Sequence, residues 1–119
     1  TKLGILLAQT YANDETAFLE NIYNVIGAGV NTSESVPAAL AIAYYSFDVR
    51  KCALLCANLG GDTDTIGAMA AICGAAQGLS EIPEKDIALI QKSNQIDFTK
   101  YADAIIKKRG QIKWEKDVS

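Results

Sequence analysis

The residues best suited to chemistry in this sequence lie at positions 58–67, which read Asn-Leu-Gly-Gly-Asp-Thr-Asp-Thr-Ile-Gly. Asp62, Asp64 and Thr65 place oxygen-bearing side chains close together. Carboxylate and hydroxyl oxygens are the ligands that hard cations such as Mg²⁺, Mn²⁺ and Ca²⁺ prefer. The preceding glycine pair lets the backbone turn tightly at low steric cost. The segment is therefore a candidate site for a hard cation.

The start of a helix is the alternative explanation for the same segment. Asp and Thr are common N-cap residues, and Gly-Gly is an ordinary turn. The residues that follow predict a helix over Ile66–Gln77, whose N-terminus would stabilise a carboxylate or a phosphate. Two aspartates and a threonine exceed what one cap needs, yet the residue types alone leave a cation site and a solvated cap both open. An EF-hand loop is excluded, because its fifth and twelfth positions would be Ile66 and Cys73.

The sequence contains no histidine, which narrows the chemistry. Ser-His and Cys-His nucleophile pairs and most zinc sites are excluded, so catalysis would depend on carboxylates, metal-bound water or a lysine. The cysteines Cys52, Cys56 and Cys73 lie in apolar helical runs. Cys52 and Cys56 are one helical turn apart and could in principle hold a soft metal. Buried free thiols in a reducing compartment fit the pattern better.

Size and charge exclude several other classes of protein. The chain has 119 residues and a net charge of −3, which suits one small domain and argues against nucleic-acid binding. No signal peptide is visible, and the apolar run 66–79 is too short to cross a bilayer. We therefore expect a cytoplasmic protein without nucleic-acid or membrane partners. Thr1 already lies in an apolar segment, so we expect the chain to be a piece of a longer protein.

The elements that position the candidate residues are all predicted to be helices, because apolar residues recur at helical spacing and strand-like alternation is weak. The sequence predicts an all-α bundle with helices over 1–12, 14–26, 35–47, 49–58, 66–77, 83–92 and 97–116. Asp14 and Asp48 are predicted N-caps, and Gly78 is a predicted C-terminal glycine. Small residues in the fifth helix predict close packing at the centre of the bundle. Residues 27–32 are predicted to form either a simple turn or a ligand-contacting loop.

Two segments carry a resemblance to a known family. Residues 58–68, ending in Ile-Gly-Ala, resemble the C-terminal metal-binding signature of the ADP-ribosylglycohydrolases, which include the dinitrogenase-reductase-activating glycohydrolases and the ADP-ribosylhydrolases of eukaryotes. Residues 27–30 (Gly-Ala-Gly-Val) and 33–40 (Ser-Glu-Ser-Val-Pro-Ala-Ala-Leu) are similar to the family's glycine loop and the helix after it. The resemblance implies a compact orthogonal helical bundle, of which residues 1–119 would be the C-terminal portion of a single domain.

The resemblance also implies an activity. Family members hydrolyse the bond between C1″ of ADP-ribose and an acceptor side chain, or cleave related O-linked ADP-ribose compounds, at a two-magnesium centre. By resemblance, Asp62, Asp64 and Thr65 would be ligands of Mg²⁺, with Mn²⁺ as the possible substitute. Gly29 and Val30 would lie along bound ADP-ribose. The partner would be ADP-ribose or an ADP-ribosylated protein.

The sequence departs from the family pattern in one respect. The family carries a Thr-Asp-Asp cluster and a separate acidic residue in its N-terminal part, whereas Thr-Asp-Asp is absent here and residues 13–15 are no adequate substitute. We therefore expect this chain to supply half of the metal site, and the N-terminal part of the same protein to supply the acid/base glutamate. The isolated chain is expected to be inactive. An inactive ADP-ribose-binding member of the same fold and a helical interaction domain remain as alternative hypotheses.

Overall fold

The computed structural model describes residues 1–77 and 82–111, which form seven α-helices with no strand among them. The helices are α1 Lys2–Thr10, α2 Glu15–Asn21, α3 Thr32–Ser46, α4 Val49–Leu59, α5 Thr63–Gln77, α6 Glu84–Asn94 and α7 Phe98–Gln111, and a π turn over Ile22–Ile26 continues α2. The all-α prediction is confirmed. Within the described ranges, no helix combines the length and the apolar character that crossing a membrane requires.

The helices fall into two units, one that ends at Ile82 and one that begins at Pro83. The first unit contains α1–α5 and every candidate site residue, and α5 packs against α3 and α4. Its core is built on fully buried side chains: Phe18, Ile22, Ile42, Cys52, Leu55, Cys56 and Ile66. Burying an aliphatic or aromatic side chain of this size stabilises the fold by about 1.5–3 kcal/mol. The second unit contains α6 and α7, which begin one residue later than predicted.

The predicted single helix over 14–26 is wrong in its second half. Asp14 caps α2 as predicted, because its side chain accepts a hydrogen bond of 3.1 Å from the backbone N–H of Ala17. After Asn21 the chain widens into the π turn, and the N–H of Gly27 donates to the carbonyl of Ile22. The extra residue in this turn shifts the helical register, which leaves Val25 54% exposed although its spacing matched the apolar pattern.

Helices α3 and α5 begin three residues earlier than predicted. The carbonyl of Asn31 accepts the first hydrogen bonds of α3, and the carbonyl of Asp62 accepts the first hydrogen bond of α5 from Ile66. Apolar spacing cannot reveal these starts, because both first turns consist of Thr, Ser, Glu and Asp residues. Such residues favour the free N–H groups and the positive end of a helix. The predicted C-terminal glycine at position 78 and the predicted end of α7 at 116 lie outside the described residues.

Among the described residues, helix α5 packs closely on one side. Ile66, Ala70 and Gly74 are buried, and a side chain at Gly74 would lie 3.1 Å from the Sγ atom of Cys52. On the other side, Ala68 is exposed and Ile72 is 71% exposed. The small residues therefore allow the expected close approach of a neighbouring helix. They do not place α5 at the centre of a bundle within the part of the chain that the structure describes.

Candidate functional site

The glycine loop and the aspartate segment, which are far apart in the sequence, meet in the structure. The backbone N–H of Asp62 donates a hydrogen bond of 2.7 Å to the carbonyl oxygen of Ala28. Ala28 lies between the two glycines of the Gly-Ala-Gly-Val loop and is buried. The bond therefore brings the predicted substrate-contacting residues Gly29 and Val30 beside the predicted metal ligands, and the two motifs form one candidate site.

The glycine pair before Asp62 makes this approach possible. Gly60 and Gly61 have φ angles of +86° and +72°, a region that residues with a Cβ atom rarely adopt. A side chain at Gly61 would also collide with the carbonyl group of Ala28. At Gly60 the nearest neighbour of an added Cβ atom would be the Tyr23 ring at 3.5 Å, which is an ordinary contact. Gly61 is thus required both for its backbone angle and for the lack of a side chain.

Glu34, in the first turn of α3, holds the glycine loop from the other side. Its Oε2 atom accepts a hydrogen bond of 2.8 Å from the N–H of Gly29. The same carboxyl group occupies the space into which side chains at Gly27 and Gly29 would project, and Gly27 has a φ of +97°. No role for Glu34 was predicted from the sequence. Its position three residues after Asn31 indicates the start of a helix, but it does not indicate a contact with the loop.

Asp62, Asp64 and Thr65 cluster at the start of α5. Asp62 precedes the helix and is half-buried, whereas Asp64 and Thr65 lie exposed in its first turn. The N–H of Thr65 donates to the Oδ1 atom of Asp64 at 3.0 Å. The structure therefore keeps all three predicted ligands in one short segment, with the positive end of the helix dipole next to the carboxylates.

The two aspartates interact directly. A hydrogen bond with Asp64 raises the pKa of the Asp62 carboxyl, and the same bond lowers the pKa of Asp64. Two carboxyl groups that interact in this way repel each other when both are ionised. A divalent cation between them would relieve the same repulsion and would take the same oxygen ligands. The donor set at the start of α5 therefore fits Mg²⁺ or Mn²⁺.

The described residues supply only part of a coordination sphere. Across residues 1–77 and 82–111, no third Asp, Glu, Cys or His joins the aspartate pair to form a metal-binding group. The acidic residues at 14 and 15 are engaged elsewhere, since Asp14 caps α2 and Glu15 forms an ion pair of 2.6 Å with Lys51. Mg²⁺ prefers six oxygen ligands in near-octahedral geometry. Waters, substrate or other protein groups would have to provide the remaining ligands.

The two predicted substrate residues differ in what they can offer a ligand. The N–H of Gly29 already donates to Glu34, so it is not free to bind a phosphate oxygen in this conformation. Val30 is 79% exposed and presents an apolar side chain to solvent. A ligand on this loop would therefore contact the Val30 side and the outward backbone of the loop, and not the side that faces Glu34.

A surface cleft of about 680 Å³ has Gly60 in its lining. It is lined by Glu15, Thr16, Leu19, Glu20, Tyr23, Asn24, Asn58, Leu59 and Gly60. Neither Asp62 nor Asp64 lines it. Glu15 is paired with Lys51, and the remaining negative charge of Glu20 disfavours an anionic ligand such as a pyrophosphate. The cleft is therefore poorly suited to the phosphate part of a nucleotide.

The environment of the three cysteines is typical of inert thiols. All three are free thiols, with Cys52 and Cys56 buried and Cys73 half-buried, which confirms the prediction of free thiols. Burial, together with the neighbouring Cys52, raises the pKa of the Cys56 thiol to about 12. The uncharged thiol is therefore the favoured form at this position.

An all-α fold that joins a glycine loop to an Asp-Thr-Asp-Thr helix start is the arrangement expected of an ADP-ribosylglycohydrolase. The family model described as ADP-ribosylglycohydrolase matches residues 3–113. The chain therefore belongs to the ADP-ribosylglycohydrolase family, as its sequence motifs predict.

Two curated relatives support this assignment. The chain is 53% identical over 94 residues to "Uncharacterized protein YegU" of Escherichia coli (strain K12), a match that covers 77% of this chain and 28% of that protein. It is 32% identical over 95 residues to "ADP-ribosylhydrolase ARH3" of Bos taurus, which covers 70% of this chain and 25% of that protein. The chain thus spans about a quarter of the length of the curated relatives it matches. No solved structure matches it significantly.

Proposed function

We propose that the full-length protein is a Mg²⁺-dependent hydrolase that releases ADP-ribose from ADP-ribosylated side chains or from related O-linked ADP-ribose compounds. The chain would supply half of a dinuclear metal centre. The hydrogen bond from Asp62 to Ala28 carries the proposal, because it joins the candidate metal ligands to the candidate substrate loop. Membership of the family and the name of the bovine relative support a hydrolase that acts on ADP-ribose linkages.

Each residue of the site has a distinct part in this proposal. The carboxylates of Asp62 and Asp64 would hold the cation, and the hydroxyl group of Thr65 would add a neutral oxygen that limits the negative charge. The bound cation would orient the ribose diol and polarise or position a water molecule. Val30 would offer apolar contact to the ligand and Gly29 close backbone approach, with Glu34 fixing the loop that carries both.

The exposed side of α5 suggests where the remaining part of the site would dock. Asp64, Ala68 and Ile72 are four residues apart along the helix, so they share one side, and all three are exposed. A segment that covers Ala68 and Ile72 would bring its own side chains next to Asp64. We propose that the N-terminal part of the same protein covers this side of α5 and supplies the missing ligands and the acid/base residue.

The buried free thiols Cys52 and Cys56 suit a reducing compartment. We propose that the full-length protein acts in the cytoplasm.

Release of ADP-ribose from arginine- and serine-modified peptides by the full-length protein tests this proposal. Asp64→Asn preserves the shape of the side chain and removes its charge. Because Asp64 is a proposed metal ligand, the rate of ADP-ribose release in Mg²⁺ is expected to fall at least about 100-fold. Asp103→Asn is the matched control, because Asp103 lies exposed in α7 of the other unit, and it should keep wild-type activity. Equal activity of wild type and Asp64→Asn would contradict the proposal.

A non-catalytic ADP-ribose-binding protein is the second candidate function. It is favoured by the incomplete acidic ligand set of the described residues. Tight binding of ADP-ribose by the wild-type full-length protein, without release from any modified peptide, would support this second function against the first.

A further inference from the structure

Glu34 is hydrogen-bonded to the loop that contacts Asp62. We propose that Glu34 is a positioning residue that holds the Ala28–Gly29 peptide group and, through it, sets the backbone position of Asp62 for cation binding. This inference rests on the proposed function, because it concerns the same cation site. Nothing in the motif that carries the metal ligands includes Glu34, which lies on α3.

Both polar ends of the peptide group are bound. Its N–H, which belongs to Gly29, donates to Glu34 Oε2 at 2.8 Å. Its carbonyl, which belongs to Ala28, accepts from the N–H of Asp62 at 2.7 Å. Because a peptide group is planar and rigid, its two ends move together. A carboxylate acceptor on the N–H also polarises the group and strengthens the carbonyl as an acceptor.

The packing around the Ala28–Gly29 peptide group leaves little room for it to move. The Glu34 carboxyl fills the space beside Gly27 and Gly29, and the carbonyl of Ala28 lies directly against Gly61. A shift of the peptide group therefore has to displace the Gly61–Asp62 backbone. Glu34 itself is half-buried in the first turn of the 15-residue helix α3, so it ties the loop to a rigid element.

Ordinary helix capping does not explain the contact. In a capping box, the third residue of the helix reaches back to the N–H of the N-cap residue, which is Asn31 here. The Glu34 side chain instead reaches Gly29, two residues further back. Its partner is therefore the loop that contacts Asp62, and not the end of its own helix.

Three substitutions separate the reach of the side chain from its charge. Glu34→Gln keeps an acceptor of the same length and should retain most of the cation affinity. Glu34→Asp keeps the charge but is one methylene shorter, and Glu34→Ala removes the acceptor. Both should weaken cation binding by about 10- to 100-fold, as loss of an outer-shell partner does in other metal sites. Glu84→Ala, in the first turn of α6, is the matched control.

Titration of the full-length protein with Mn²⁺, followed by electron paramagnetic resonance of the free ion, measures these affinities. Hydrogen exchange of the Asp62 amide without any cation supplies an independent readout. In Glu34→Asp and Glu34→Ala, this amide should exchange faster than in wild type, while the amides of α4 keep their protection. Glu34→Gln should restore slow exchange. Thermal unfolding identifies any variant that does not fold. If Glu34→Ala does not fold, Glu34→Asp carries the test.

Each outcome bears on one claim. Weaker Mn²⁺ binding and faster Asp62 exchange in Glu34→Asp, with recovery in Glu34→Gln, would establish the positioning role. If Glu34→Asp binds Mn²⁺ as tightly as wild type while Asp64→Asn no longer binds it, the positioning role of Glu34 is wrong and the proposed function remains intact. Failure of the wild-type protein to bind Mn²⁺ or Mg²⁺ would overturn the proposed function and this inference with it.

Discussion

Replacement of Gly61 by alanine tests the contact that joins the two halves of the candidate site. Gly61 has a φ of +72°, and an added Cβ atom would collide with the carbonyl group of Ala28. The left-handed backbone costs an alanine about 1–2 kcal/mol. Loss of the hydrogen bond between Asp62 and Ala28 costs about 1 kcal/mol more. We therefore expect Gly61→Ala to lower the free energy of unfolding by about 2–3 kcal/mol, the sum of these two effects.

A second glycine provides the matched control. Gly67 lies inside α5, and an added Cβ atom there would meet only the Cβ atom of Cys56 at an ordinary 3.5 Å. Alanine is favoured over glycine within a helix by about 0.5–1 kcal/mol. Gly67→Ala should therefore leave the free energy of unfolding unchanged or raise it slightly, although the two substitutions are chemically identical.

Urea denaturation of the full-length protein, followed by far-ultraviolet circular dichroism, measures both effects. Cation titration of the same samples shows whether the displaced Asp62 also binds Mn²⁺ more weakly. If Gly61→Ala is as stable as wild type and as Gly67→Ala, the close approach of Gly61 to Ala28 is wrong, and the two motifs do not form one site.

The Asp62 carboxyl should titrate with a pKa above the ordinary aspartate value, and Asp64→Asn should return it towards normal, as followed by carboxyl carbon NMR. Because this pKa is raised in the folded state, the contribution of Asp62 to stability is present below the unfolded-state pKa and is lost as the pH rises through the folded-state pKa. The pKa of Asp64 is lowered, so its contribution is present above the unfolded-state pKa and is lost as the pH falls through the folded-state pKa. Iodoacetamide near neutral pH should modify half-buried Cys73 before Cys56, because burial raises the pKa of the Cys56 thiol to about 12. Mass spectrometry of the peptides measures the order of modification, and modification of Cys56 first would contradict its burial. Asp48→Ala removes the acceptor that caps α4 and should lower the free energy of unfolding by about 1 kcal/mol. An unchanged free energy of unfolding in a urea titration would contradict the capping role of Asp48.

Local features of this fold could be predicted from the sequence because they depend on neighbouring residues. Asp14 and Asp48 cap α2 and α4 as predicted, since an N-cap needs only a side-chain oxygen next to free backbone N–H groups. The π turn after Asn21 could not be predicted, because the apolar spacing up to Ile22 fits an α-helix equally well. The early starts of α3 and α5 were missed since polar first turns carry no apolar period.

The candidate site required more than local patterns. The ligand types of Asp62, Asp64 and Thr65 are legible in the sequence, but the residue types alone do not separate a cation site from a cap. The contact between the glycine loop and Asp62 depends on how α3 and α5 pack, which no spacing encodes. Glu34 was missed for the same reason: its role follows from the path of the loop, and not from its position in the helix.

The dependence of ADP-ribose release on Mg²⁺ concentration is the most direct test of the proposed function. The full-length wild-type protein, stripped of metal with a chelator, would be titrated with Mg²⁺ against an ADP-ribosylated peptide. We predict no release without Mg²⁺, a rise that saturates as the ion is added, and no such rise in Asp64→Asn. Release that is the same in chelator and in saturating Mg²⁺ would contradict a hydrolase that works through Asp62, Asp64 and Thr65.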